Sequence, residues 1–158
     1  MNALVAAISI LLLMGGCSQP SSQPSDPSPV EIGNEHSNGL SVEIEIGDAA
    51  SHVDEPVDLL LVVTASKPVT LQFSSGQRFD FVVSIGGEEV WRWSGDKFFT
   101  QALGEESLSA GEELRYEAQW TPTEEGSYEV LGLVTATNPE FDEGSLSAEQ
   151  ALTVEGRS

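Results

Sequence analysis

From residue 40 onward, apolar side chains recur mainly at every second position, which is the period of a β-strand and not that of a helix. The pattern is clearest over residues 41–47, where valine and isoleucine at positions 42, 44 and 46 alternate with glutamate at 43 and 45. The other segments that favour strands are 57–65, 69–74, 79–85, 88–93, 114–120, 128–137 and 147–154. Because turn residues separate these short segments, the pattern predicts an all-β chain.

Short strands with closely spaced turns are typical of an antiparallel β-sandwich. We expect two packed sheets of immunoglobulin type, with about 7–8 strands in total; the alternative is a closed barrel. Gly86 and Gly87 stand between two alternating runs and predict a tight hairpin, because both can adopt positive φ. A chain of 158 residues is long enough for one domain with its own core, and we assign residues 40–158 to it.

The first seventeen residues are typical of an export signal. Residues 3–14 form an apolar run with Ser9 as its one polar member, and Gly15, Gly16 and Cys17 follow. A run of about twelve residues is too short to span a bilayer, which takes about twenty, so residues 1–16 fit a secretory signal peptide. The string LMGGC resembles a bacterial lipoprotein signal, which implies that Cys17 carries the lipid. The alternative is a buried N-terminal helix.

A polar segment follows the signal. Residues 18–39 hold four of the eight prolines and almost no apolar side chains. Such a segment cannot bury enough surface to offset the entropy lost on ordering. We therefore expect residues 17–39 to be a flexible, lipid-anchored linker that holds an exported domain at the membrane of the cell envelope.

The charge balance excludes nucleic acid as a partner. The chain has 26 Asp and Glu against 6 Lys and Arg, a formal net charge of −20, whereas binding phosphate backbones needs clustered cations. The acidity suggests either adaptation to a salty medium, which we favour, or a site for Ca²⁺ or a basic partner. The spaced oxygen ligands of a calcium loop are absent, and the nearest cluster is residues 140–143, so we expect no metal.

The residues needed for catalysis are also scarce. The two histidines, His36 and His52, fall in the linker and in a predicted loop, and there is no G-x-S-x-G motif. Residues 94–97 match S-x-x-K, but that motif needs a helical turn between serine and lysine, and Gly95-Asp96 predicts a loop. The single cysteine lies at position 17, so the domain has no thiol nucleophile. We expect neither enzymatic activity nor a cofactor.

Four strings between residues 74 and 134 suggest a family. They are SSGQRFDFVV at 74–83, EVWRWSGDKFFTQAL at 89–103, LSAGEELRYEAQW at 108–120 and GSYEVLGLV at 126–134. In this order and spacing the chain resembles the BsuPI family of bacterial intracellular proteinase inhibitors. The resemblance implies an immunoglobulin-like β-sandwich, in agreement with the strand pattern, and inhibition of a serine protease.

Several residues in these strings have expected places in the fold. Trp91 and Trp93 are two positions apart, so we expect both to face one side of a strand and to pack in the core. Asp80 stands between two inward-facing phenylalanines, and we expect it to face outward or to hydrogen-bond a neighbouring loop. We expect Arg92 to pair with a surface carboxylate.

The candidate contact loop is residues 94–104, where Lys97, Phe98 and Phe99 would enter the specificity pocket of a serine protease. The alternative is that Phe98 and Phe99 pack into the core. Our first hypothesis is therefore a non-enzymatic binding domain that inhibits a serine protease. A second is a structural module of the envelope that positions another protein without inhibiting any protease. A third, a carbohydrate- or metal-binding accessory domain, requires an exposed aromatic platform or clustered carboxylates.

Overall fold

The computed structural model describes residues 34–35, 39–47, 50–141 and 146–157, which form eleven β-strands and one 3-10 helical turn. The predicted signal peptide, Cys17, His36 and nearly all of the predicted linker lie outside these residues. The strands are β1 (Asn34–Glu35), β2 (Leu40–Ile46), β3 (Ala50–His52), β4 (Val57–Ala65), β5 (Val69–Phe73), β6 (Phe79–Ile85), β7 (Glu88–Arg92), β8 (Gly104–Leu108), β9 (Glu113–Trp120), β10 (Gly126–Val134) and β11 (Ser147–Glu155); the helical turn is Trp93–Asp96.

The strands form two main sheets and one small sheet. The first main sheet has the order β1-β2-β4-β9 and is antiparallel throughout. The second has the order β3-β11-β10-β6-β7 and is antiparallel except for the parallel pair of β3 and β11. Strands β5 and β8 form a separate two-stranded ladder. Because β2 belongs to the first main sheet and β3 to the second, the start of the domain joins both layers.

The two main sheets enclose a common core. Its fully buried members include Leu59, Leu61 and Val63 of β4, Phe81 and Val83 of β6, and Val130 of β10. Burying each such side chain contributes about 1.5–3 kcal/mol. The sheets approach closely at Gly132, where a Cβ would lie 2.7 Å from Leu61 Cδ1 and 3.1 Å from Ile44 Cδ1. The predicted antiparallel β-sandwich is therefore confirmed.

A tyrosine contact supports the immunoglobulin type of this sandwich. Tyr128 lies near the start of β10, and its ring packs edge-on against Trp120 at 4.9 Å between centroids. Its hydroxyl donates a hydrogen bond of 2.8 Å to the carbonyl of Glu124 in the preceding turn. A tyrosine that bonds back to the backbone just upstream of this strand is typical of immunoglobulin-like domains.

All eight predicted segments contain a strand, and the differences lie at their ends. The hairpin at Gly86 and Gly87 is confirmed, with φ of 58° and 82°. Strand β7 ends at Arg92 because Trp93 begins the helical turn, so the expectation that both tryptophans lie on a strand is wrong for Trp93. Strand β10 ends at Val134, whereas the pattern predicts it to continue to residue 137.

The sequence pattern does not predict three short strands, β1, β3 and β8. Strand β1 falls within the predicted linker, so strand pairing begins before residue 40. Strand β3 pairs with β11, and β8 pairs with β5. These short strands have little alternation of their own, and their conformation depends on the neighbouring strand.

No helix among the described residues has the length and apolar character needed to cross a membrane. In the same part of the chain, no group of three or more His, Cys, Asp and Glu side chains is placed to hold a metal ion. Of the acidic cluster at 140–143, residues 142 and 143 lie outside the described residues.

Candidate functional site

Exposed apolar side chains concentrate in one stretch of the chain. Among the described residues, the large hydrophobic side chains exposed to solvent are Val90, Phe98 and Leu103, with 49%, 101% and 87% exposure. Phe98 and Leu103 lie in the irregular segment 97–103, between the helical turn and β8, which we name the exposed loop. Two large apolar side chains exposed on one loop make this loop the candidate interaction site.

Asp80 of β6 fixes the first end of the exposed loop. Phe81 is buried in the core, so Asp80 faces outward from the sheet, yet it is only 3% exposed. Its Oδ1 accepts a hydrogen bond from the backbone N–H of Ser94 at 3.0 Å, and its Oδ2 accepts one from the Ser94 hydroxyl at 2.6 Å. Asp80 therefore faces outward and is hydrogen-bonded, as expected, but its partner Ser94 belongs to the helical turn and not to a loop.

Arg92 adds a charged contact to this end. Its Nη1 lies 3.1 Å from Asp80 Oδ2, and its Nε and Nη2 donate to both carboxylate oxygens of Glu89 at 3.0 and 2.7 Å. The bonds between Arg92 and Glu89 lower the pKa of Glu89 and raise the pKa of Arg92. A bulge at Val90 places these two side chains on one face of β7. The predicted pairing of Arg92 with a surface carboxylate is confirmed.

Arg78 fixes the other end of the exposed loop. Its Nε donates to Glu106 Oε1 at 3.0 Å, its Nη1 donates to the carbonyl of Ser75 at 2.6 Å, and its guanidinium lies 4.4 Å from the centroid of the Phe73 ring. Gly104 follows the loop directly, and a Cβ there would overlap the guanidinium of Arg78. A glycine at this position therefore lets the chain pass against the arginine.

The middle of the exposed loop is held by its backbone. The N–H of Gly76 donates to the carbonyl of Thr100 at 2.8 Å, and a Cβ at position 76 would lie only 2.7 Å from Thr100 Oγ1. Together with the contacts of Asp80 and Arg78, this bond means that one short segment, residues 76–80, contacts the helical turn before the exposed loop, the middle of the loop and strand β8 after it.

A row of aromatic rings supports the loop from below. Phe79 packs between Tyr116 of β9, at 4.8 Å and 18° between ring planes, and Trp93, at 4.1 Å and 32°. Phe99 of the exposed loop lies 5.9 Å from Trp93. Trp91 and Trp93 are partly buried against the core, so the predicted packing role of both tryptophans is confirmed.

The hydroxyl of Tyr116 links these rings to the Arg78 anchor. It donates to Glu106 Oε2 at 3.0 Å, while Glu106 Oε1 accepts from Arg78. Burial raises the pKa of Tyr116, and the negative charge of Glu106 acts in the same direction. The hydroxyl therefore keeps its proton over the physiological range and remains a donor.

The three predicted contact residues have different environments. Lys97 donates from Nζ to Asp96 Oδ1 at 3.1 Å, and the same nitrogen lies 4.7 Å from the Trp93 ring centroid. The side chain of Phe98 is fully exposed, so the alternative that it packs into the core is wrong. Phe99 is half-buried against Trp93.

A groove of about 510 Å³ opens beside the exposed loop, where strand β7 and the helical turn approach β9. Its lining includes Val90, Trp91, Trp93, Lys97 and Gln119. Strand β7 is the edge strand of its sheet, and its bulge and its two glutamates disfavour the addition of a further strand. A partner would therefore meet side chains of the groove and the loop, not an open strand edge.

The model of the BsuPI family, described as an intracellular proteinase inhibitor, matches residues 42–139, which is more than half of the chain. This chain belongs to the BsuPI family. No curated protein matches it. Among solved structures, the CARDB domain of PF1109 from Pyrococcus furiosus is 25% identical, with a TM-score of 0.44, over 73% of this chain and 94% of that one. The sporulation control protein Spo0M from Bacillus subtilis is 16% identical, with a TM-score of 0.49, over 75% of this chain and 50% of that one.

The strings that carry the family resemblance build the exposed loop of this BsuPI domain. The string at 74–83 supplies Gly76, Arg78 and Asp80, which contact the loop, and the string at 89–103 contains the loop itself. Sequence reasoning missed the roles of Gly76 and Arg78 and the exposure of Val90 and Leu103. Arg78 lies just before β6 and its partner Glu106 is 28 residues away, so no local pattern in the sequence predicts this contact.

Two expectations about catalytic groups in this BsuPI domain, at residues 94–97 and at His52, are wrong in their secondary structure. Residues 94–97 do include a helical turn, not the predicted loop, but the Ser94 hydroxyl donates to Asp80 and Lys97 donates to Asp96, so serine and lysine do not form a nucleophile and base pair. His52 lies in β3 and not in a loop. Its Nδ1 is buried and has no hydrogen-bond partner within the described part of the chain.

Proposed function

We propose that this BsuPI domain is a non-enzymatic binding domain that inhibits a serine proteinase by presenting residues 94–104 to the cleft of the enzyme. The observation that carries the proposal is the full exposure of Phe98 on a loop whose two ends and middle are fixed by Asp80, Arg78 and Gly76. An aromatic side chain that projects from a rigid support is the kind of anchor that dominates binding at protein interfaces. Membership of the proteinase inhibitor family supports the same conclusion.

The rigidity of the support matters because ordering a flexible loop costs binding free energy, about 0.5–1.5 kcal/mol for each side chain that is immobilised. Here much of that ordering has already occurred on folding. The backbone of Lys97, with φ −110° and ψ 152°, is extended. Consecutive side chains of an extended backbone point to opposite sides, so Phe98 can enter a pocket of the partner while Phe99 stays against Trp93.

The test is titration of the purified full-length chain, in detergent, against a panel of serine proteinases with apolar and with acidic specificity pockets. We expect inhibition at or below micromolar concentration of at least one enzyme, and a loss of about thirtyfold or more in Phe98→Ala. Phe98→Leu, which keeps an apolar side chain, should lose less. Thermal unfolding should be unchanged in both variants because the native side chain is fully exposed.

Two results would reject this function. One is the absence of inhibition of every enzyme in the panel; the other is equal inhibition by wild type and Phe98→Ala. Co-purification of a stable envelope protein, unaffected by Phe98→Ala and Lys97→Ala and without inhibition, would favour the structural envelope module instead.

We also propose that the domain is exported and anchored to the membrane of the cell envelope by a lipid on Cys17. The support is the sequence at 3–17, an apolar run that ends in Gly15, Gly16 and Cys17, and the proline-rich segment that follows it. Metabolic labelling with radioactive palmitate should label the wild-type chain and not Cys17→Ser. Labelling that persists in Cys17→Ser would contradict the anchor.

A further inference from the structure

Two neighbouring side chains of the exposed loop, Lys97 and Phe98, are presented in different ways. Phe98 is fully exposed, whereas the side chain of Lys97 is 37% exposed. The ammonium of Lys97 is shared between the carboxylate of Asp96, at 3.1 Å, and the face of the Trp93 ring, at 4.7 Å from its centroid. A carboxylate and an indole face together form a typical receptor for an ammonium group.

This receptor is built into the support of the loop. Trp93 stacks on Phe79 at 4.1 Å, which restricts the orientation of its ring. Trp93 and Asp96 are the first and last residues of the helical turn, and the backbone N–H of Lys97 closes the turn on the carbonyl of Ser94 at 3.1 Å. The Asp96 carboxylate is 87% exposed, and the hydrogen bond from Lys97 lowers its pKa.

We propose that Trp93 and Asp96 retain Lys97 and so decide which class of serine proteinase the exposed loop accepts: enzymes with an apolar specificity pocket, and not those with an acidic one. This inference rests on the proposed function. A proteinase with a carboxylate at the base of its pocket needs a lysine or arginine that extends freely into it. For Lys97 to do so, its contacts with both Asp96 and Trp93 must break, whereas Phe98 needs no rearrangement.

The first experiment measures selectivity. Inhibition constants of the full-length chain are determined for a chymotrypsin-type enzyme, with an apolar pocket, and a trypsin-type enzyme, with an acidic pocket. We expect Asp96→Ala to tighten inhibition of the trypsin-type enzyme by about threefold, the scale of one lost surface ion pair, because the contact of Lys97 with Trp93 remains; the change for the chymotrypsin-type enzyme should be less than about twofold. The double variant with Lys97→Met should lose this gain.

Glu105→Ala is the matched control, because Glu105 is an exposed carboxylate at the other end of the same loop and its removal changes the net charge equally. It should leave the ratio of the two inhibition constants unchanged. If Asp96→Ala shifts the inhibition constants of both enzymes equally, or if Glu105→Ala causes the same shift, Lys97 is not retained by Asp96 and Trp93. Inhibition by the wild type would still support the proposed function in that case.

The second experiment does not depend on inhibition. The chain contains two lysines, Lys67 and Lys97, and Lys67 serves as the internal reference. Trace acetylation with acetic anhydride, followed by mass spectrometry, should label Lys97 more slowly than Lys67 in the wild type, and Asp96→Ala should reduce this difference. Equal labelling of the two lysines in the wild type would refute the retention of Lys97, whatever the inhibition assays show.

Discussion

Replacing Asp80 with alanine should destabilise the domain and release the exposed loop. The substitution removes the acceptors for the backbone N–H and the hydroxyl of Ser94 and for Nη1 of Arg92. It also removes a bond from the backbone N–H of Phe81 to the aspartate itself. The Asp80 carboxylate is the acceptor in all four bonds, so these contacts at the first end of the loop depend on this one side chain.

The expected magnitude follows from the burial of the partners. Hydrogen bonds to a charged group contribute about 1.5–3 kcal/mol each, and the two bonds from Ser94 are made to a carboxylate that is 5% exposed. The contact with Arg92 adds little, because its side chain is 39% exposed and keeps its bidentate bond to Glu89. We expect a loss of about 3 kcal/mol in the free energy of unfolding, or about 10 °C in Tm.

Urea denaturation followed by tryptophan fluorescence measures this loss, and a double-mutant cycle with Ser94→Ala assigns it. Ser94→Ala alone should cost about 1 kcal/mol, and the pair should couple by about 1 kcal/mol, because both variants remove the same hydroxyl bond. Asp58→Ala is the matched control: the exposed carboxylate of Asp58 accepts a hydrogen bond from Gln119 Nε2 at 2.9 Å, and its loss should cost less than about 0.5 kcal/mol.

In the inhibition assay, Asp80→Ala should weaken binding by about tenfold, since the loop must then be ordered on docking. A stability change below about 1 kcal/mol, or one no larger than that of Asp58→Ala, would show that the helical turn does not depend on Asp80. Unaltered inhibition in a clearly destabilised Asp80→Ala would show that the conformation of the exposed loop is set elsewhere.

Three further predictions concern the sandwich itself. Gly132→Ala should cost about 1–3 kcal/mol in urea denaturation, because the new Cβ would lie 2.7 Å from Leu61 in a fully buried layer; a neutral effect would mean that the sheets can separate locally. Asn138→Ala should cost about 2 kcal/mol in the same assay, since its buried amide bonds two backbone groups of β5 at 2.7 and 2.8 Å, and a cost below about 0.5 kcal/mol would contradict that role. Burial raises the pKa of both tyrosines, Tyr116 and Tyr128, above the unfolded value of about 10. The unfolded chain therefore loses these protons first, and the free energy of unfolding should fall as the pH rises above about 10. Absorbance at 295 nm should stay low in the folded protein near pH 10 and rise with unfolding; an early rise in the folded state would contradict the buried hydroxyls.

The sandwich could be predicted because its main strands carry their own pattern. In β4 and β6 the residues that face the core, such as Leu59, Leu61 and Phe81, are apolar, so the sequence of each strand alone indicates its buried face. The short strands β3 and β8 have no such pattern. Their residues are extended because β11 and β5 offer backbone partners, and this pairing is fixed only when the whole sheet has formed.

The site could be predicted only in part, since its contacts join distant positions. Alternation correctly placed Asp80 on the outer face of β6, but nothing near position 80 indicates that Ser94, fourteen residues later, returns to cover it. The bulge at Val90 in β7 is equally invisible in the local sequence pattern. A regular strand would put Glu89 and Arg92 on opposite faces, and the bulge instead brings them together as an ion pair.

Phe98 and Phe99 show where reasoning from sequence must stop. The two residues are identical and adjacent, so composition and propensity treat them alike. Their environments differ because Trp93, oriented by its stacking on Phe79, offers a surface to Phe99, and an extended backbone then directs Phe98 to the opposite side. The side chain left for a partner is therefore selected by a contact outside the loop, between Phe79 at the start of β6 and Trp93 in the helical turn. Substitutions at Phe79 should alter inhibition although Phe79 lies beneath the exposed loop and would not touch the proteinase.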